Sequence, residues 1–143
     1  MAADLLASDP ERAETILREA LTADLFFGPA HNNLGVLFLK QDKLYEAANE
    51  FEWAKKLLPG HPDPRVNLAL VMERAGRNDE AFASYAAALE VWPNYLPALQ
   101  GLASLTLRAG DREDPRVEGW LKEIGLRGED GWADWARGRL AVQ

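Results

Sequence analysis

Residues 28–61 read GPAHNNLGVLFLKQDKLYEAANEFEWAKKLLPGH, and residues 62–95 read PDPRVNLALVMERAGRNDEAFASYAAALEVWPNY. Laid one over the other, at a shift of 34 residues, the two stretches agree, and the agreement extends in both directions. Leu34, Leu68 and Leu102 share a column; the next holds Gly35, Ala69 and Ala103, and further on come Phe38, Met72 and Thr106. Ala13, Ala47 and Ala81 align, then Leu17, Phe51 and Tyr85, then Ala20, Ala54 and Ala88, and finally Pro59 with Pro93. A fixed period of this size predicts a stack of similar units, each burying its apolar face against the next.

The columns predict two antiparallel helices per unit. Ala47, Phe51 and Ala54 fall at i, i+4 and i+7, one stripe of a helix, where alanine lets neighbours approach and the aromatic ring fills the gap. Ala81, Tyr85 and Ala88 repeat that design. Leu34, Gly35 and Phe38 form the matching stripe of the preceding helix. Pro29, Pro64 and Pro97 fall near first helical turns, where no amide partner is lost, and Gly76 and Gly110 suit the left-handed residue that ends a helix.

With these columns the chain resembles the tetratricopeptide repeat (TPR) family. The resemblance implies an all-α fold, a right-handed α-solenoid of antiparallel helix pairs with a C-terminal capping helix. It divides residues 1–143 into a partial first repeat (1–27), two full repeats (28–61 and 62–95), a divergent repeat (96–126) and a cap (130–143). In the partial repeat Ala2 to Ala7 is a shortened first helix and Asp9 to Phe27 the second. After Gly110 the period holds only with two residues inserted in Asp111 to Pro115, which puts Val117, Leu121 and Ile124 on the packing stripe. Trp132, Trp135, Ala136, Arg139 and Leu140 then give one apolar-leaning face, so Trp120, Trp132 and Trp135 read as a cap, with a ligand cage as the alternative.

Composition agrees and narrows function. The chain has 23 Ala and 22 Leu against 11 β-branched residues, a bias toward helix. Its net charge of −7 argues against nucleic acid and anionic membranes. No apolar run reaches the roughly 20 residues that span a bilayer, and Asp4 stands where a secretory signal would carry basic residues, which favours the cytoplasm. The absence of cysteine removes thiol chemistry and disulfides.

Catalytic arrangements are scarce. His31 and His61 lack the i, i+4 spacing of a helical metal pair; His31 on the inner stripe reads as a packed, hydrogen-bonded ring, and His61 with Asp63 gives too few ligands. The carboxylates cluster at helix starts, where they cap amides. The sequence thus names no catalytic residue, cofactor or metal and reads as a non-enzyme.

The suggestive pattern is a ladder. Lys40, Arg74 and Arg108 align at the ends of successive first helices, which the resemblance places on the concave wall. Asn33 and Asn67 align as well, with Asn32 and Gln100 nearby. Together with Val36, Leu70 and Ser104 these residues are the candidate peptide-binding groove, suited to an extended or acidic-flanked segment. Each cation also complements the negative end of its own helix dipole, and the asparagines could instead bridge repeats; both pairs of readings stand. The carboxylate clamp of one TPR subgroup does not fit, because Pro97 and Gly101, or Asp63 and Asn67, stand where its cations belong. The leading expectation is therefore a scaffold binding a partner peptide or helix in its groove. The alternative is self-assembly through the convex face or open ends, motivated by Trp53, which lies off the packing stripe.

Overall fold

The structure, a computed structural model, describes residues 8–141. Eight helices lie wholly within the described residues: α1 (Pro10–Ala23), α2 (Gly28–Lys40), α3 (Leu44–Leu57), α4 (Asp63–Arg74), α5 (Asn78–Val91), α6 (Leu96–Arg108), α7 (Pro115–Arg127) and α8 (Asp130–Ala141). No strand occurs among those residues, and none of the helices is long and apolar enough to cross a membrane. Each helix packs on the next in the chain, and α2 also touches α4, the arrangement of an α-solenoid. The stretch Ala2 to Ala7, expected to be a short helix, lies outside the described residues, and α1 ends at Ala23, so Asp24 to Phe27 is loop.

The boundaries follow from local chemistry. Proline occupies the first turn of α1, α2, α4, α6 and α7, where its missing amide costs nothing. Gly76 and Gly110 adopt φ of 77° and 84° in the turns after α4 and α6. Asp42, which holds the same column after α2, adopts φ of 58°. Asp9 and Asp114 cap α1 and α7, accepting from the Arg12 and Arg116 amides.

Three clusters make the core, each formed between neighbouring helices. Ala13, Leu17, Leu34, Phe38, Ala47 and Phe51 belong to the first. Ala69, Ala81, Tyr85, Ala88 and Leu102 belong to the second. In the third, Val117, Leu121 and Ile124 are fully buried against Leu99 and Ala103, so the altered spacing after Gly110 still yields a packing stripe. Gly35 permits the closest approach of α2 and α3: a Cβ there would stand 2.5 Å from Phe51 Cε1. In the last helix the buried residues are Ala133 and Ala136, with Trp135 and Leu140 packed beside them, whereas Trp132 points away from this core.

Candidate functional site

The first helices of the pairs, α2, α4 and α6, are stitched edge to edge by hydrogen bonds that each reach back 35 residues. Asn67 Nδ2 donates to Asn32 Oδ1 at 3.0 Å. Arg74 Nη1 donates to the Leu39 carbonyl at 2.7 Å, and Arg108 Nη2 pairs with Glu73 Oε1 at 2.5 Å. Two rungs of the cationic ladder are therefore engaged within the chain, and of the aligned Asn33 and Asn67 it is Asn67 that bridges to the preceding first helix, through Asn32. The same reach from Lys40 leads to Leu5, outside the described residues. Among the described residues Lys40, Asn33 and Gln100 make no side-chain hydrogen bond, and Lys40 is exposed.

Glu73 organises the second interface. Its other oxygen accepts the Tyr85 hydroxyl, so the carboxylate joins α4, α5 and α6. Burial, then the bond to this carboxylate, pushes the Tyr85 phenol far above its ordinary value. A second Tyr–carboxylate pair, Tyr95 with Asp63, holds the α5–α6 loop to the start of α4, and its phenol is pushed up to about 12, again by burial first. The signal for Glu73 was present in its column, whose other members are Leu39 and Leu107.

Beside this carboxylate a cavity of about 450 Å³ opens between α4, α6 and α8. Leu70, Gln100, Ser104 and Arg108, all expected in the groove, line it. Trp132 closes one side, and Val66, Gly101 and Tyr85 form apolar parts of its lining. Leu70 and Trp132 are 39% and 38% exposed, large apolar surfaces held at the mouth of a cavity. Trp132 meets Trp135 edge-on at 5.2 Å between ring centres, which fixes its plane, and a second hollow of about 330 Å³ runs from Ser104 along both rings. Trp120 instead packs between α5 and α7, 6.3 Å from Phe82. Asn32, Asn33, Val36, Lys40, Asn67 and Arg74 lie outside this cavity.

His31 is packed as the sequence predicts. Its Nε2 donates to the Leu25 carbonyl at 2.7 Å, and Nδ1 lies 2.7 Å from a Glu50 carboxylate oxygen. A carbonyl only accepts, so Nε2 is the donor in that bond. The ring stacks on Trp53 at 5.2 Å and is buried, leaving neither nitrogen for substrate or metal. His61 is exposed in its loop, and among the described residues no three His, Cys, Asp or Glu side chains converge as metal ligands.

Comparison with solved structures agrees with this architecture. The chain is similar to a crystal structure of MamA, with a TM-score of 0.75 and 21% identity over 93% of this chain and 77% of that one. It is also similar to PilF of Pseudomonas aeruginosa, with a TM-score of 0.78 and 21% identity over 90% of this chain and 58% of that one. Both are TPR proteins, and the fold of this chain is a TPR-like α-solenoid. No protein-family model matches the sequence, and no curated protein matches it either.

Proposed function

We propose that this protein is a non-catalytic interaction scaffold that holds a partner peptide or helix in the groove of its first helices. The observation that carries the reading is the cavity between Leu70 and Trp132. Two exposed apolar side chains flank a depression whose polar groups, Gln100 and Ser104, are free to hydrogen-bond a backbone. A leucine- or phenylalanine-sized anchor fits this space. Lys40, Arg74 and Arg108 stand at the ends of the first helices, Arg108 paired with Glu73, which favours an acidic flank on the partner, and the net charge of −7 disfavours nucleic acid. Selection of 16-residue peptides from a random display library tests this. Binders should share one large apolar residue beside acidic ones, and Leu70→Asp with Trp132→Ala should weaken them at least about tenfold, since buried anchors dominate such interfaces. Peptides that bind the double variant unchanged overturn the groove as the site.

A separate surface supports self-association as a second reading. Leu25, Phe26 and Phe27 are exposed in the α1–α2 loop, Phe26 to 66%, and Phe26 lies 6.4 Å from the Trp53 ring. Sedimentation velocity across micromolar to millimolar concentration tests it. A species that stays monomeric throughout, and is unchanged by Phe26→Glu, sinks this reading.

A further inference from the structure

Helix α8 supplies Trp132 to the cavity of the groove, yet little fixes α8 itself. Its buried residues are Ala133 and Ala136, whereas α7 buries Val117, Leu121 and Ile124, and α6 buries Leu99, Leu102 and Leu105. Trp135 and Leu140 are only partly buried beside those alanines. Among the described residues one side-chain hydrogen bond joins α8 to the rest of the fold, from Arg137 Nη2 to the Gly125 carbonyl at 2.8 Å. An element with so few buried apolar contacts opens locally, well below the free energy of global unfolding.

Two glycines weaken it further. Gly131 and Gly138 lie within α8, a Cβ at either would meet open space, and neither has a positive φ. Gly35 and Gly101, by contrast, stand against the Phe51 and Tyr85 rings, where no Cβ fits. Packing therefore leaves room for alanine at 131 and 138, and a glycine inside a helix disfavours the helical state about four- to fivefold relative to alanine. The hinge is equally well defined. Arg127, the last residue of α7, donates to the Asn94 carbonyl at 2.5 Å and to Glu123 at 2.8 Å, and only Gly128 and Glu129 separate it from α8. Changes at those two residues undock α8 while α7 stays in place.

The same helix completes the cavity. Trp132 shares its lining with Val66, Leu70 and Gly101, and together with Trp135 walls the second hollow from Ser104. We infer that α8 is a latch: it exchanges between a docked and an undocked state, and an apolar group that fills the cavity against Trp132 draws it to the docked one. Only the docked state offers that group an indole, and this difference in affinity is what shifts the equilibrium. As a device that holds a partner the latch rests on the groove reading. The coupling of cavity filling to docking does not, because a side chain grown from α6 fills the same space.

Hydrogen exchange of the full chain, followed amide by amide by NMR, tests it. The α8 amides should exchange together, at least about a hundredfold faster than those of α4 and α5 after correction for intrinsic rates. Gly138→Ala should slow α8 exchange about four- to fivefold and leave α2 to α5 unchanged. Ser104→Leu, which places an isobutyl group beside Trp132, should slow it about tenfold, and Trp132→Ala should cancel that gain. Exchange of α8 at the rate of α4 and α5 overturns the inference. So does Ser104→Leu leaving α8 exchange unchanged or faster in a chain whose other resonances show it folded. Peptides that bind the groove and are weakened by Leu70→Asp, yet leave α8 exchange as it was, overturn the latch and keep the groove. Tenfold slowing by Ser104→Leu in a chain that selects no peptide supports the latch and overturns the groove.

Discussion

Gly35→Ala sets two effects of opposite sign against each other. A helix interior favours alanine over glycine by about 0.8–1.0 kcal/mol. The same column already holds Ala69 and Ala103, both fully buried, so the repeat pattern alone predicts a gain. The structure predicts a loss. A Cβ on Gly35 would lie 2.5 Å from Phe51 Cε1 and 2.6 Å from Cδ1, where carbon atoms normally approach to about 3.5–4.0 Å. The Phe51 ring is fully buried on a helix whose Ala47 and Ala54 are buried as well, so it has no solvent side to retreat to, and α2 must move away from α3. Overpacking of this kind costs about 1–3 kcal/mol. Against the propensity gain, the expected net loss is about 1 kcal/mol, a Tm lower by about 3–5 °C for a domain of this size. Urea and thermal unfolding followed by helical ellipticity measure it, and Gly35→Ala combined with Phe51→Leu should recover about 1–2 kcal/mol of coupling. If Gly35→Ala alone raises the urea midpoint at unchanged slope, the close approach is not limiting and the reasoning fails.

Asp42 occupies, at φ of 58°, the place that Gly76 and Gly110 hold in the other turns, so Asp42→Gly should stabilise by about 0.5 kcal/mol once glycine's added chain entropy is subtracted. Gly76→Ala, with open space around its Cβ, should lose about 1–2 kcal/mol through backbone strain alone; urea midpoints moving the other way would refute both. Tyr85 and Tyr95 hold their protons in the folded chain, Tyr95 to about 12, whereas tyrosines of the unfolded chain ionise near 10. The folded state thus keeps protons that the unfolded state releases, and stability is intact below pH 10 and falls as pH rises through 12. Phenolate absorbance at 295 nm should accordingly report fewer than all three tyrosines until helix is lost; three titrating near 10 with ellipticity intact would contradict the pairings with Glu73 and Asp63.

Packing between neighbours is the part of this protein that a single sequence displays openly. Leu34, Leu68 and Leu102 are all buried, as are Ala47, Phe51 and Ala54 with their counterparts Ala81, Tyr85 and Ala88, because each unit meets the next through the same geometry and so needs the same residues. Side-chain bonding was not legible in that way. Arg74 and Arg108 share a column, yet one meets the backbone oxygen of Leu39 and the other the carboxylate of Glu73, since what a guanidinium finds one repeat back depends on residue 39 or 73. Trp132 was expected on the apolar face of the last helix. Ala133 and Ala136 take the buried stripe, and the indole is left to wall the cavity beside Leu70.

The internal repeat also separates what packing requires from what it leaves free. Columns that touch a neighbouring helix hold one chemistry through the copies. Columns on the stitched wall do not: Asn32, Val66 and Gln100 share one, Asn33, Asn67 and Gly101 another, and Val36, Leu70 and Ser104 a third. Leu39, Glu73 and Leu107 break their column where the structure opens the cavity beside Glu73. A wall that only had to pack would repeat its residues as the core does, and a wall that met a periodic ligand would repeat them too. Under the proposed groove reading, variation along this wall favours an aperiodic occupant, one segment whose successive side chains differ, with the Leu70–Trp132 cavity taking the largest of them.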